Sequence, residues 1–250
     1  MHADRPAPHG AGQPLRWGGH EIVLLPGRAV WLPECRWLLV ADVHLGKAAT
    51  FRRLGVPVPA GTTAGTLDRL GALIRSQGAH ALVVLGDLLH SAHAQAPSIQ
   101  SALRDWRTAH RGVTMTLVRG NHDARSGDPC PSIGIDLVDE PWLLAPPDGS
   151  GPGLALCHHP QAVPGHQVLA GHDHPCIHLG GRGRDHLRVP CFHFRHEVGV
   201  LPAFGDFTGM QPVQRLPGDQ VHAVTADAVR PLGPPVSQPL NCPPCLPSNT

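Results

Sequence analysis

The chain has 250 residues, 41% of them hydrophobic, and a formal net charge of +1. That length suffices for one large globular domain, and no apolar run approaches the ~18–20 residues a membrane span requires. The near-neutral balance excludes a protein coated in positive charge for non-specific nucleic-acid binding, although it leaves room for a local basic rim.

Residues 1–14 are rich in Pro, Gly and Ala and predict a disordered tail; with no apolar segment of the secretory kind, the expected location is cytoplasmic. The folded unit is expected over 15–210. His20–Leu25 and Ala29–Leu32 read as paired strands joined at Pro26-Gly27, and Trp37–Ala41 is a continuous apolar run typical of a buried strand. Thr62–Gln77 carries Leu67, Leu70 and Ile74 at helical spacing, with Gly78 as a stop. Ala81–Leu85 is a second buried strand. Ser98–His110 is helical, with Ile99, Leu103 and Trp106 on one face, and Thr114–Val118 is strand-like again. Shorter strands are expected at Ile133–Val138, Trp142–Leu144, Leu154–Cys157, Val168–Ala170, Leu187–Val189 and Val198–Leu201. From Gln211 the chain turns Pro-rich, and 211–250 is expected to be a second disordered tail. A strand–helix–strand–helix–strand half followed by a β-rich half predicts an α/β fold of two packed sheets flanked by helices.

The chain holds 19 histidines and no tyrosine, which makes a metal site worth seeking. The seven cysteines are scattered and odd in number, so they read as reduced thiols. Cys242 and Cys245 form a C-x-x-C in the Pro-rich tail, with no second pair to complete a zinc site. The polar residues fall where the apolar runs stop. Trp37–Ala41 leads into Asp42-Val43-His44, Ala81–Leu85 into Gly86-Asp87, and Thr114–Val118 into Gly120-Asn121-His122-Asp123. Leu154–Cys157 leads into His158-His159, and Val168–Ala170 into Gly171-His172-Asp173-His174. In open α/β sheets the functional crevice lies outside the carboxyl ends of strands, so these groups would converge on one mouth. Mixed oxygen and nitrogen donors suit Mn²⁺, Fe or Zn²⁺ better than Mg²⁺, and a carboxylate such as Asp87 can bridge two ions. Each of Asp42, Asp87 and Asn121 alone would also fit a turn or helix cap; in ordered company with three histidines they do not. Lys47, Arg52, Arg53 and His90 are candidate substrate contacts near that mouth, with Arg119, Arg125 and Arg182 behind them. His93, His178, His186, His193 and His196 have no motif behind them.

The series D-x-H, G-D, G-N-H-D, H and G-H-x-H, from Asp42 to His174, resembles the calcineurin-like metallophosphoesterases. The resemblance implies a four-layer αββα fold of two packed mixed β-sheets flanked by helices, holding two divalent ions. It implies one site of Asp42, His44, Asp87 and His174, and another of Asp87, Asn121, His158 and His172. His122 would face the substrate phosphate as the catalytic partner, with Asp123 a supporting acceptor. Of the adjacent histidines, His158 is expected to be the ligand and His159 to project to the other side.

A narrower resemblance lies in DVHLGKAATFRRLGVPVPAGTT (42–63), GDLLHS (86–91), LAGHDHP (169–175), LRVPCF (187–192) and LPAFGDFTG (201–209). These segments are similar to the bacterial ligase-associated DNA damage response phosphoesterases. That likeness implies a Mn²⁺-dependent DNA endonuclease or phosphodiesterase acting on single-stranded or damaged DNA. Helicase, ligase and exonuclease-like proteins of the same pathway would be its partners. Asp173 and Met210 depart from the pattern, where an apolar residue and a glycine are usual. A phosphoesterase acting on a nucleotide, a nucleoside-diphosphate lipid precursor or a phosphoprotein would use the same core. A non-catalytic scaffold would have lost ligands, and here the whole set is present.

Overall fold

The computed structural model describes residues 12–53, 55–58, 61–91, 96–180 and 186–233. The first sheet has seven strands in chain order: β1 (Gln13–Trp17), β2 (His20–Leu25), β3 (Ala29–Leu32), β4 (Trp37–Ala41), β5 (Ala81–Leu85), β6 (Thr114–Val118) and β7 (Asp136–Val138). The first four strands form an antiparallel meander, and β4 to β7 run parallel, so the sheet is mixed. Parallel neighbours need crossovers, which are supplied by α1 (Lys47–Arg53), α2 (Thr62–Gln77), α3 (Pro97–Ala109) and α4 (Asn121–Ser126).

The apolar strands are buried on both faces. Alternation along β4 and β5 sends Leu38, Val40, Leu82 and Val84 toward Leu67, Leu70 and Ile74 of α2 and Leu103 and Trp106 of α3. The intervening Leu39, Ala41, Val83 and Leu85 pack instead against the second sheet. Helix α2 stops where expected: Gly78 takes φ 60, and its N–H donates to the Ile74 and Arg75 carbonyls. Trp106 Nε1 donates to the Leu67 carbonyl at 2.8 Å and ties the two long helices together.

The second sheet comprises β8 (Trp142–Leu144), β9 (Gly153–Leu156), β10 (His166–Ala170), β11 (Pro175–Gly180), β12 (His186–Arg195), β13 (Val198–Val200), β14 (Gln211–Pro212), β15 (Gln220–Val224) and β16 (Val229–Pro231). Its order is β14-β11-β12-β13-β10-β9-β8, with β15 paired to β12 and β16 to β15. Leu154, Leu156, Leu169, Phe192 and Phe194 form its half of the inter-sheet core. Two mixed sheets with few helices is the fold class expected from the sequence. The helical layers are unequal, however. Among the described residues, the outer face of the second sheet carries a small cluster of Ala155, Cys157, Val163, Val168 and Ala170 and no helix.

The expectation of a tail from Gln211 needs correction. Residues 211–231 supply three strands, and β15 lies against β12 with Cys191 opposite Ala223. Val221 and Ala223 are buried with Ile177, Val189 and Cys191. Prolines at 212, 217 and 231 hid these strands, which are short and carry at most three apolar residues each. At the other end β1 begins at Gln13, inside the expected N-terminal tail. Trp17 Nε1 of that strand donates to the Val168 carbonyl at 2.9 Å, pinning one sheet to the other. The Cys242–Cys245 pair, His93 and Arg182 lie outside the described residues.

Candidate metal centre

The carboxyl ends of β4, β5, β6, β9 and β10 meet at one edge of the sandwich. At that edge the backbone leaves the extended region abruptly. Asp42 (φ 54), His44 (φ 49), Asp87 (φ 53), His172 (φ 72) and His174 (φ 48) are all left-handed. Such a conformation costs a non-glycine residue on the order of 1–2 kcal/mol, and its concentration in one cluster is typical of a functional site. Cross-loop hydrogen bonds hold it: Asp42 N–H donates to Gly86 O at 3.2 Å, and His44 N–H to Asp87 O at 2.8 Å. Two glycines permit the approach. A Cβ on Gly86 would lie 2.0 Å from His158 Nδ1, and one on Gly120 would lie 2.4 Å from Asp87 Oδ1.

The side chains fall into two groups on either side of Asp87. In one, His174 Nε2 lies 3.3 Å from Asp42 Oδ1 and 3.4 Å from His44 Nε2, while His44 Nε2 is 3.8 Å from Asp87 Oδ2. In the other, His158 Nε2 lies 2.9 Å from Asn121 Oδ1, 3.1 Å from His172 Nδ1 and 3.5 Å from Asp87 Oδ1. The residues expected as ligands therefore lie together at this edge, with His159 beside His158 and His172.

Hydrogen bonding shows what these atoms offer. His174 Nδ1 is 2.9 Å from the Gly209 carbonyl and His158 Nδ1 is 3.2 Å from the Leu85 carbonyl. A carbonyl only accepts, so each Nδ1 carries the hydrogen and the Nε2 of each ring, when neutral, presents a lone pair to the centre. Those lone pairs face carboxylate and amide oxygens that are also acceptors. Asp42 Oδ1 is fully buried yet has no hydrogen-bond partner. Acceptors packed against acceptors repel unless a cation lies between them, so the donor set fits divalent ions. Burial, with Lys47 and the neighbouring imidazoles, lowers the His44 pKa well below the ordinary range and keeps the ring neutral, the form that binds metal. Burial raises the Asp87 carboxyl, opposed by His158 and by the His122 N–H at 2.9 Å.

His122 lies at the rim of the first group, with Nε2 3.9 Å from Asp87 Oδ2. Its Nδ1 donates to the His90 carbonyl at 2.8 Å, its ring stacks on His90, and its side chain is one-third exposed at the rim. Burial, Lys47 and His122 lower the His90 pKa to about 4, so that ring is neutral too. Asp123 is buried and accepts from the N–H groups of Asp87, Gly120 and Leu89 at 2.7, 3.0 and 3.2 Å. It supports the loops carrying the ligands more than the His122 ring. Lys47 begins α1 and feels the Asp42 and Asp87 carboxylates, though burial lowers its pKa. Arg52 and Arg53 lie exposed on the last turn of α1. Arg119 is committed to Asp128 and Asp139, both at 2.9 Å, and Arg125 is exposed.

His159 does not project away, as strand alternation suggested. The strand ends at Leu156, so the two-residue period no longer applies, and the His159 ring centroid lies 4.6 Å from that of His172. Glu140 holds it: the carboxylate accepts from His159 Nδ1 at 2.6 Å and from the N–H groups of His158 and His159 at 2.6 and 2.9 Å. Glu140 has no motif around it, and nothing in the sequence marks it. A second support is the strap 203–209, within the LPAFGDFTG segment. Phe204 and Gly205 donate to the carbonyls of Ala41 and Asp42 at 2.8 and 3.0 Å, and Arg69 grips the strap through Asp206 at 3.0 and 3.1 Å.

Residues 36–180 match the family described as calcineurin-like phosphoesterase. The chain belongs to that family. It is thus a metal-dependent phosphoester hydrolase, and its family is one of dinuclear metal enzymes. Among solved structures, the phosphoesterase is similar to the Pseudomonas putida nuclease MPE at 41% identity, over 88% of this chain and all of that one, with a TM-score of 0.76. It is also similar to Yfce, a phosphoesterase from E. coli, at 14% identity over 76% of this chain and 88% of that one, with a TM-score of 0.40. Comparison with curated proteins gives no match. No helix among the described residues is long and apolar enough to cross a membrane.

Proposed function

We propose that this phosphoesterase is a nuclease: a Mn²⁺-dependent phosphodiesterase that cleaves DNA, single-stranded or damaged, in the cytoplasmic DNA damage response. The observation that carries the reading is the division of the buried donors into two groups sharing Asp87, one carboxylate oxygen on each side. Its 41% identity to a protein described as a nuclease supports the choice of substrate. In this reading Asp42, His44, Asp87 and His174 hold one ion, and Asp87, Asn121, His158 and His172 hold the other.

When bound, the ion pair would supply an acidified water and positive charge against the phosphoryl oxygens. The chain's own residues do the rest. Asp87 fixes the spacing of the two groups, and the His122 N–H donating to its Oδ1 keeps that carboxylate in place. His122, anchored through Nδ1, turns Nε2 toward the mouth, where its protonated form delivers a proton to the leaving oxygen. The Lys47 ammonium adds charge at the Asp42–Asp87 side. Helicase, ligase and exonuclease-like proteins of the same pathway would bring the enzyme to DNA, which its near-neutral charge does not do alone.

The test is a Mn²⁺ assay of single-stranded DNA, duplex DNA, a small phosphodiester and phosphomonoesters side by side, with Asp87→Ala as control. Cleavage of DNA and the small diester, abolished in Asp87→Ala, is expected. Turnover of monoesters without DNA cleavage would overturn the nuclease reading.

A further inference from the structure

A second opening adjoins the metal centre on the His172 side. It is a cleft of about 510 Å³ running from exposed His172 to Arg195 at the end of β12, walled by Pro212, Val213 and Leu216. That volume falls within the roughly 300–1,000 Å³ of small-ligand sites. The far wall is braced. His193, on the same side of β12 as Arg195, has Nε2 2.8 Å from Asp219 Oδ2, and the same oxygen accepts the Leu216 N–H at 3.0 Å. That oxygen is thus engaged within the wall. At the mouth, Arg195 Nη2 lies 3.4 Å from Asp173 Oδ2, with both side chains more than 40% exposed. An exposed pair of this kind contributes little stability, and it occupies one of five guanidinium donors. An arriving phosphate can displace it. The apolar wall would suit a base and sugar.

We propose that this cleft is a subsite for the nucleotide flanking the scissile phosphate. Arg195 holds the adjacent phosphate, and its nucleoside lies against Pro212, Val213 and Leu216. Asp173, in the position where relatives of the narrower family usually carry an apolar residue, keeps Arg195 directed across the mouth until substrate arrives. The inference rests on the nuclease reading and deepens it.

The experiment compares wild type, Arg195→Ala and Arg195→Lys in Mn²⁺ on single-stranded oligonucleotides and on bis(4-nitrophenyl) phosphate, which is too small to span both sites. For Arg195→Ala the KM for DNA should rise roughly tenfold, with partial recovery in Arg195→Lys. The slope of log kcat/KM against log salt should flatten by about 0.7, one phosphate contact on a single strand. For the small diester, kcat/KM should fall at least fivefold less than for DNA. A methylphosphonate at the flanking position should impair wild type and add nothing to the Arg195→Ala defect. An equal loss on both substrates, an unchanged KM for DNA, or additive effects of variant and methylphosphonate would overturn the subsite alone. Wild-type enzyme that hydrolyses the small diester and leaves all DNA intact overturns the nuclease reading, and the subsite with it.

Discussion

Replacing Gly86 by alanine should disable the metal centre while leaving the protein folded. The added Cβ would lie 2.0 Å from His158 Nδ1 and 2.3 Å from its Cγ, whereas ordinary contact begins near 3.4 Å. His158 would have to retreat by about 1.4 Å, the difference between those distances. It is fully buried, donates Nδ1–H to Leu85 O and has Nε2 packed 2.9 Å from Asn121 Oδ1, so it cannot simply swing aside. The left-handed backbone at Gly86 (φ 75) costs alanine about 1–2 kcal/mol, and overpacking adds roughly 1–3 kcal/mol. The expected destabilisation is therefore about 2–5 kcal/mol, within the 5–15 kcal/mol of a typical domain. A displacement near 1 Å in catalytic geometry costs on the order of 10²-fold in rate. Denaturation of the metal-free protein, bound Mn²⁺ and turnover of a small diester are the three readouts. Gly65→Ala is the control: nothing lies within 4 Å of its Cβ, and inside α2 alanine should stabilise by roughly 0.5–1 kcal/mol. Wild-type metal content and turnover in Gly86→Ala would refute the packing argument.

Three further outcomes are expected. His122→Ala should lower kcat by ~10²–10⁴-fold with both ions retained, and the loss should be smaller for a 4-nitrophenolate leaving group that needs no proton; metal analysis with both substrates checks it. Asp123→Ala strands the N–H groups of Asp87, Leu89 and Gly120, for a destabilisation of roughly 2–4 kcal/mol in urea melts, with Asp123→Asn milder. At Glu140, burial raises the pKa, but the hydrogen bonds from His159 and His158 outweigh it and leave the carboxyl below the ordinary 4.5. A depressed acid contributes stability above its unfolded pKa and loses it as pH falls through the folded value. The stability gap between wild type and Glu140→Gln should therefore be full near pH 7 and shrink below about pH 4.5, as read by melts across pH.

The parts of this architecture legible in the sequence are those where local pattern and tertiary role coincide. Trp37–Ala41 and Ala81–Leu85 are buried on both faces, so they are continuous apolar runs, and their ends announce Asp42 and Asp87. The donors of the metal centre follow strand ends at short, motif-like spacing, which is why they could be named. β15 was hidden because its burial depends on β12 thirty residues earlier, while its own sequence, QVHAV, is polar at two of five positions. Glu140 acts through backbone contacts that no residue pattern encodes, and the pattern at 201–209 does not show that its backbone braces Ala41 and Asp42. His159 shows the limit of alternation, which does not carry to a residue three beyond Leu156, the last paired one.

In the proposed centre two divalent ions share the Asp87 carboxylate. Titration of the metal-free protein with Mn²⁺, followed by electron paramagnetic resonance and metal analysis, tests it directly. Two ions per chain with an exchange-coupled spectrum, both lost in Asp87→Ala, are predicted. A single ion per chain, or two ions giving separate uncoupled signals, would contradict it.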